Sequence, residues 1–118
     1  MVKDRSTHHW SEDFALDQLQ SRGLRLVARN YRTRRGEIDL VLQEDASLVF
    51  VEVRNRVSIA FGRPEETVDP RKQSRLRLAA EAFLQRHQSG HDTACRFDVF
   101  AVSGPLPDPD WRWIQDAF

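Results

Sequence analysis

Leu48-Val49-Phe50-Val51-Glu52-Val53-Arg54 is the stretch that decides how this chain folds. Four successive apolar residues in a strand need cover on both sides, because neighbouring side chains point to opposite faces of a sheet. Directly after that run, Glu52 and Arg54 fall on one face, where the apolar pattern does not ask for charge. A second strand precedes it, Gly36-Glu37-Ile38-Asp39-Leu40, in which Glu37 and Asp39 are expected to share a face. If the two strands pair as neighbours across the Glu44-Asp45-Ala46-Ser47 turn, Asp39 and Glu52 converge.

Upstream, Ser11 is expected to cap a helix whose first turn holds Glu12 and Asp13, with Trp10, Phe14, Ala15 and Leu19 on one side and Gly23 as its stop. Leu24 to Ala28 reads as a short strand, Asn30 to Gly36 as a basic turn, and Ile38 to Leu42 as the strand carrying Asp39. Downstream, Val57 to Asp69 reads as an irregular connection. Asp69-Pro70 then starts a helix, since a carboxylate caps free amides and proline is tolerated at the first helical position. Leu76, Ala79, Ala80, Phe83 and Leu84 recur at helical spacing to about His87, with Gly90 beyond and Arg71, Arg75 and Arg77 off that stripe. Cys95 to Val102 is a further strand, and the tail Trp111 to Phe118, with two tryptophans, is expected to pack on the body. The order α-β-β-β-α-β plus a C-terminal tail is an α/β fold, a mixed sheet flanked by helices.

With 118 residues, 40% hydrophobic and 31% charged, the composition is that of one ordinary domain over 1–118, with 1–9 expected to be mobile. No apolar run approaches the roughly 18 residues of a membrane span, and Met1 to Trp10 has no signal-peptide core, so a cytoplasmic protein is expected. Cys95 stands alone, which excludes an internal disulfide, and is expected to be a small buried hydrophobe. His8, His9, His87 and His91 have no metal-motif spacing. The formal net charge is zero, yet charge is segregated: six arginines between Gln18 and Gly36 (Arg22, Arg25, Arg29, Arg32, Arg34, Arg35) come without an acid. Arg71, Lys72, Arg75 and Arg77 do so between Pro70 and Ala80. Such runs serve either as solvated faces paired with acids elsewhere or as phosphate-binding surfaces.

Two carboxylates held ~4 Å apart at an effective dielectric of 20 repel by about 4 kcal/mol. A hard divalent cation bound by carboxylates, water and phosphate oxygens offsets this, and Arg54 is the alternative source of positive charge. The competing reading makes Asp39, Glu52 and Arg54 solvent-facing ion pairs of little weight.

Gly36-Glu37-Ile38-Asp39-Leu40, Val49-Phe50-Val51-Glu52-Val53-Arg54-Asn55-Arg56, Phe61-Gly62, Lys72 and Arg96-Phe97-Asp98-Val99, in this order, resemble the YraN family of bacterial proteins. That family is similar to archaeal Holliday-junction resolvases and belongs to the PD-(D/E)XK nucleases, so the resemblance, which runs from Glu12 to Phe118, implies a restriction-endonuclease-like sheet. It also implies a magnesium or manganese site with Asp39 and Glu52 as ligands, the Val53 carbonyl completing the shell, and Glu12 acting through water. The departure is Arg54, where such nucleases usually carry lysine: arginine stays charged and cannot act as a base, but it can clamp a phosphate. The implied activity is metal-assisted hydrolysis of a phosphodiester, with branched DNA as a candidate substrate and Asp39, Glu52, Arg54 and Glu12 as catalytic residues. Arg32, Arg34, Arg35, Arg54, Arg56, Arg71, Lys72 and Arg75 would then track the nucleic-acid backbone. A homodimer follows by analogy with the resolvases, and no membrane or small-molecule cofactor is expected. The alternatives are a non-catalytic nucleic-acid-binding module of the same fold and a protein-interaction domain.

Overall fold

The computed structural model describes residues 9–56, 68–87 and 93–118. The expected mobile N-terminus up to His8, most of the Val57 to Asp69 connection with Phe61-Gly62, and Gly90 and His91 lie outside these residues, as do the side chains of His9 and Arg56.

The elements follow the expected order, α1 (His9–Ser21), β1 (Arg25–Arg32), β2 (Glu37–Glu44), β3 (Ser47–Arg56), α2 (Pro70–Arg86) and β4 (Cys95–Ser103), and the tail adds a fifth strand, β5 (Asp110–Ile114). They form one mixed sheet in the order β1-β2-β3-β4-β5, with β3 and β4 parallel and every other neighbouring pair antiparallel. The central place of β3 is what its apolar run demanded. Val49 and Val51 pack with Ala15, Leu16 and Leu19 of α1, while Leu48 and Phe50 pack with Leu76, Ala79, Ala80 and Phe83 of α2. Full burial of a side chain of this kind contributes about 1.5–3 kcal/mol, so covering both faces of β3 accounts for much of the driving force.

Local signals set the helix ends. Asp69 caps α2 by accepting from the Lys72 amide at 2.9 Å, and Pro70 opens the helix. Gly23, at φ +95°, closes α1: Leu24 N–H donates to the Leu19 carbonyl and Gly23 N–H to that of Gln20, a pattern that needs the left-handed residue. Two expectations are corrected. The helix begins two residues ahead of Ser11, so Ser11 is buried within its first turn and is not the cap. Cys95 is exposed, because it is the first residue of β4, before both faces of that strand are covered. The strands also run longer than read: β1 continues to Arg32 and takes up Asn30, Tyr31 and Arg32 of the basic turn.

The β1–β2 ladder shifts register at Val27, between Leu26–Leu42 and Ala28–Val41. Further along, the pairing passes in constant register from Arg29–Leu40 to Tyr31–Ile38, with Asn30, at φ +51°, and Asp39 between these pairs, and there the strands roll. Leu40 packs in the α1-side core, yet Ile38, two residues away, packs in the α2-side core. Arg29 and Tyr31 diverge in the same way, the first reaching Glu12 and Asp13 of α1, the second setting its ring edge-on to Phe83 of α2. Asparagine tolerates the left-handed conformation that this roll requires.

Candidate metal and nucleic-acid site

Asp39 stands at the roll, and there the β2–β3 ladder ends. Pairing runs from Glu44–Ser47 to Leu40–Val51 and goes no further; the Asp39 carboxylate takes the next place, accepting from the Val53 N–H at 2.8 Å. The N–H and C=O of one strand residue face the same neighbour, so the Val53 carbonyl faces this gap as well. Burial raises the Asp39 pKa well above the ordinary carboxylate value, the charge of Glu52 raises it further, and the charges of Glu12 and Glu37 add to that against the Val53 hydrogen bond.

Glu52 approaches from the α2 side of the sheet and is buried, at 4% exposure. Its Oε2 accepts from Lys72 Nζ at 2.8 Å and lies 3.2 Å from Arg54 Nη1. Lys72, in the first turn of α2, thus places an amine on the carboxylate that Arg54 also touches. Glu12, also buried, approaches from the α1 side; its Oε1 lies 3.6 Å from Arg29 Nη2, which pairs more closely with Asp13 at 2.8 Å. Glu12 and Glu52 therefore reach the Asp39 gap from opposite faces, and among the described residues no three histidines, cysteines, aspartates or glutamates cluster as ion ligands.

The geometry sorts the basic residues read from the sequence. Arg54 and Lys72 belong to the acidic site. Arg32 pairs with Glu37 at 3.3 Å. Arg34, Arg35, Arg71 and Arg75 are exposed, and the side chain of Arg56 lies outside the described residues. Sequence reasoning did not assign Arg29 to Glu12 or Lys72 to Glu52. The only available signal was that each stands in a basic stretch without a local acid to pair with, which says that a distant acid is needed without saying which one.

The match to the family model described as uncharacterised protein family UPF0102 spans residues 11–102. The chain belongs to the UPF0102 family. A UPF0102 protein of Stutzerimonas stutzeri is 44% identical over all of this chain and 98% of its own length. One of Pseudomonas entomophila is 46% identical, covering 92% of this chain and 89% of the relative, and one of Ralstonia nicotianae is 50% identical over 96% and 86%. The matched span contains Asp39, Glu52, Arg54 and Lys72 but ends at Val102, ahead of β5. No helix among the described residues is long and apolar enough to cross a membrane.

Proposed function

We propose that the protein is a divalent-metal-dependent endonuclease that hydrolyses phosphodiester bonds, with branched DNA as the first substrate to test. One observation carries the reading: the Asp39 carboxylate is wedged where the ladder opens, with the Val53 amide as its hydrogen-bond donor and the charges of Glu52, Glu12 and Glu37 raising its pKa. Hard carboxylate oxygens and a backbone carbonyl are the donors that magnesium and manganese take, with the remaining positions left to water and phosphate. Asp39 and Glu52 would hold the ion, with the Val53 carbonyl on the same gap and Glu12 behind it. When bound, such an ion supplies Lewis acidity toward a phosphate and lowers the pKa of the attacking water.

The remaining work falls to residues of the chain. Arg54, permanently charged, orients the phosphate and stabilises charge that develops on its oxygens. Lys72 brings an amine to the Glu52 oxygen that Arg54 also touches, and so covers the role that arginine at position 54 leaves open on β3. Arg29 holds the Glu12 carboxylate on the α1 side of the sheet, apart from Glu52.

The test is isothermal calorimetry with manganese alongside cleavage of labelled branched and linear DNA. Wild type is expected to bind the ion and cut; Asp39→Asn and Glu52→Gln are expected to lose cutting by about 100-fold or more, the scale on which loss of transition-state electrostatics reads out. Equal manganese affinity in wild type and Asp39→Asn would remove the site. A second reading, a non-catalytic nucleic-acid-binding protein, is favoured by the two cations already resting on Glu52 Oε2. Salt-dependent DNA binding without metal-dependent cutting would select it.

A further inference from the structure

We propose that the groove between the 33–36 turn and the outward side of α2 seats a nucleic-acid strand several nucleotides away from the phosphate at the acidic pair. This rests on the nucleic-acid reading above and names where that ligand runs. The groove has a volume of about 1030 Å³ and is lined on one wall by Arg34 and Arg35 and on the other by Leu78, Ala82 and Arg86. Among the described residues, Arg34, Arg35 and Arg86 have no acidic partner within ion-pair distance; Glu81 is the one acid in the lining. In a chain of zero net charge, three uncommitted arginines around an apolar floor form a local site. Leu78, 38% exposed, gives the α2 wall an apolar surface that a base or sugar can cover while the arginines meet the phosphates. This combination suits a strand with both parts, and suits inorganic phosphate alone less well.

The turn is held in place before any ligand arrives. Thr33 N–H donates to the Gly36 carbonyl at 2.8 Å, and Thr33 Oγ1 accepts from the amides of Arg35 and Gly36 at 3.1 Å each. Gly36 sits so close to α2 that a Cβ there would lie 2.9 Å from the Arg75 carbonyl oxygen. Arg34 and Arg35 are therefore presented from a fixed backbone, which lowers the ordering cost of binding.

Helical spacing joins the groove to the acidic site. Arg71, Arg75, Leu78, Ala82 and Arg86 recur at intervals of three and four on one side of α2, while Lys72 on its sheet side touches Glu52. At 1.5 Å rise per residue, Leu78 and Arg86 lie roughly 9 and 21 Å along the helix from Lys72. At about 3.4 Å of duplex rise per nucleotide, the groove meets the strand roughly three to six nucleotides from the phosphate at Glu52.

The experiment is fluorescence anisotropy of labelled single-stranded and duplex DNA in EDTA across a salt series, with wild type, Arg34→Glu/Arg35→Glu, Arg86→Glu and, as a control on β5, Arg112→Glu. The groove variants are expected to weaken binding by about tenfold or more, and to reduce the salt slope by about 0.7–0.9 for each phosphate that is no longer neutralised. Arg112→Glu is expected to bind as wild type does. Unchanged affinity and slope in both groove variants would overturn the inference, as would equal competition by poly-glutamate at matched charge. Because EDTA removes cleavage from the measurement, a failed endonuclease reading leaves this result standing, and an active nuclease with indifferent groove variants sinks the groove alone.

Discussion

Asp39 and Asp98 are both carboxylates set into the sheet, and their surroundings differ in kind. Asp98, fully buried on β4, accepts from Arg96 Nε at 3.0 Å, from Trp113 Nε1 at 2.8 Å and from the Asp116 amide at 2.9 Å. Arg96 in turn reaches Glu44 at 2.6 Å, so that one network ties β2, β4, β5 and the last residues together. Asp39 has the Val53 amide at 2.8 Å and the charges of Glu52, Glu12 and Glu37 around it. A buried acid surrounded by donors completes the fold. Around Asp39 the nearby charges are acids whose cations, Arg54, Lys72, Arg29 and Arg32, rest on those acids, so the proposed ion would be what balances Asp39 itself.

That contrast can be broken most directly by removing each carboxylate. Asp98→Ala takes away three donors' acceptor and leaves Arg96 half-paired, and is expected to cost about 3–5 kcal/mol in urea denaturation, the usual penalty for breaking a buried ion pair from one side. Asp39→Asn in EDTA is expected to raise the unfolding midpoint, because it removes repulsion without removing cover. A comparable loss in both variants would erase the distinction between them.

The pH dependence sharpens it. A carboxyl group whose folded pKa is raised binds more protons when folded than when unfolded, so its contribution falls as pH rises from the unfolded carboxylate range through the folded value. In EDTA, wild type is expected to lose stability relative to Asp39→Asn as pH increases across that window, and manganese is expected to reverse the trend. Parallel stability curves for the two proteins would show that Asp39 carries no excess charge.

Two smaller effects concern how α2 is held beside Asp39. Gly36→Ala forces a methyl against the Arg75 carbonyl and is expected to cost about 1–3 kcal/mol, as overpacking does. Asp69→Ala removes the cap that also places Lys72, and is expected to lower the thermal unfolding midpoint slightly. The Asp69 carboxyl is held below its ordinary pKa, chiefly by the Lys72 amide, so this cap weakens as pH falls through that lowered value.

Much of the architecture was legible from one dimension. The apolar run at Leu48 to Val51 required a doubly covered strand, Asp69-Pro70 and Gly23 marked helix ends, and the tryptophans of the tail predicted that it would pack. These are local rules of period, capping and burial, and they need no knowledge of neighbours. The reading of Glu37 and Asp39 as two residues on one face did not anticipate the roll beside Asn30 or the end of the β2–β3 ladder at Leu40, because both depend on how neighbouring strands pair.

The sequence by itself therefore determined the first six elements, their order and the pair of acids around which a site could form, but not that the tail is a strand. Tertiary structure alone decided that Lys72 of α2 rests on Glu52, that Glu12 arrives from the other face with Arg29, that Asp98 is a structural anchor, and that Arg86 joins Arg34 and Arg35 across one groove. The physical reason is that periodicity and capping act between residues adjacent along the chain, whereas the balance of charge at a buried carboxylate depends on which distant side chains packing brings within a few ångströms.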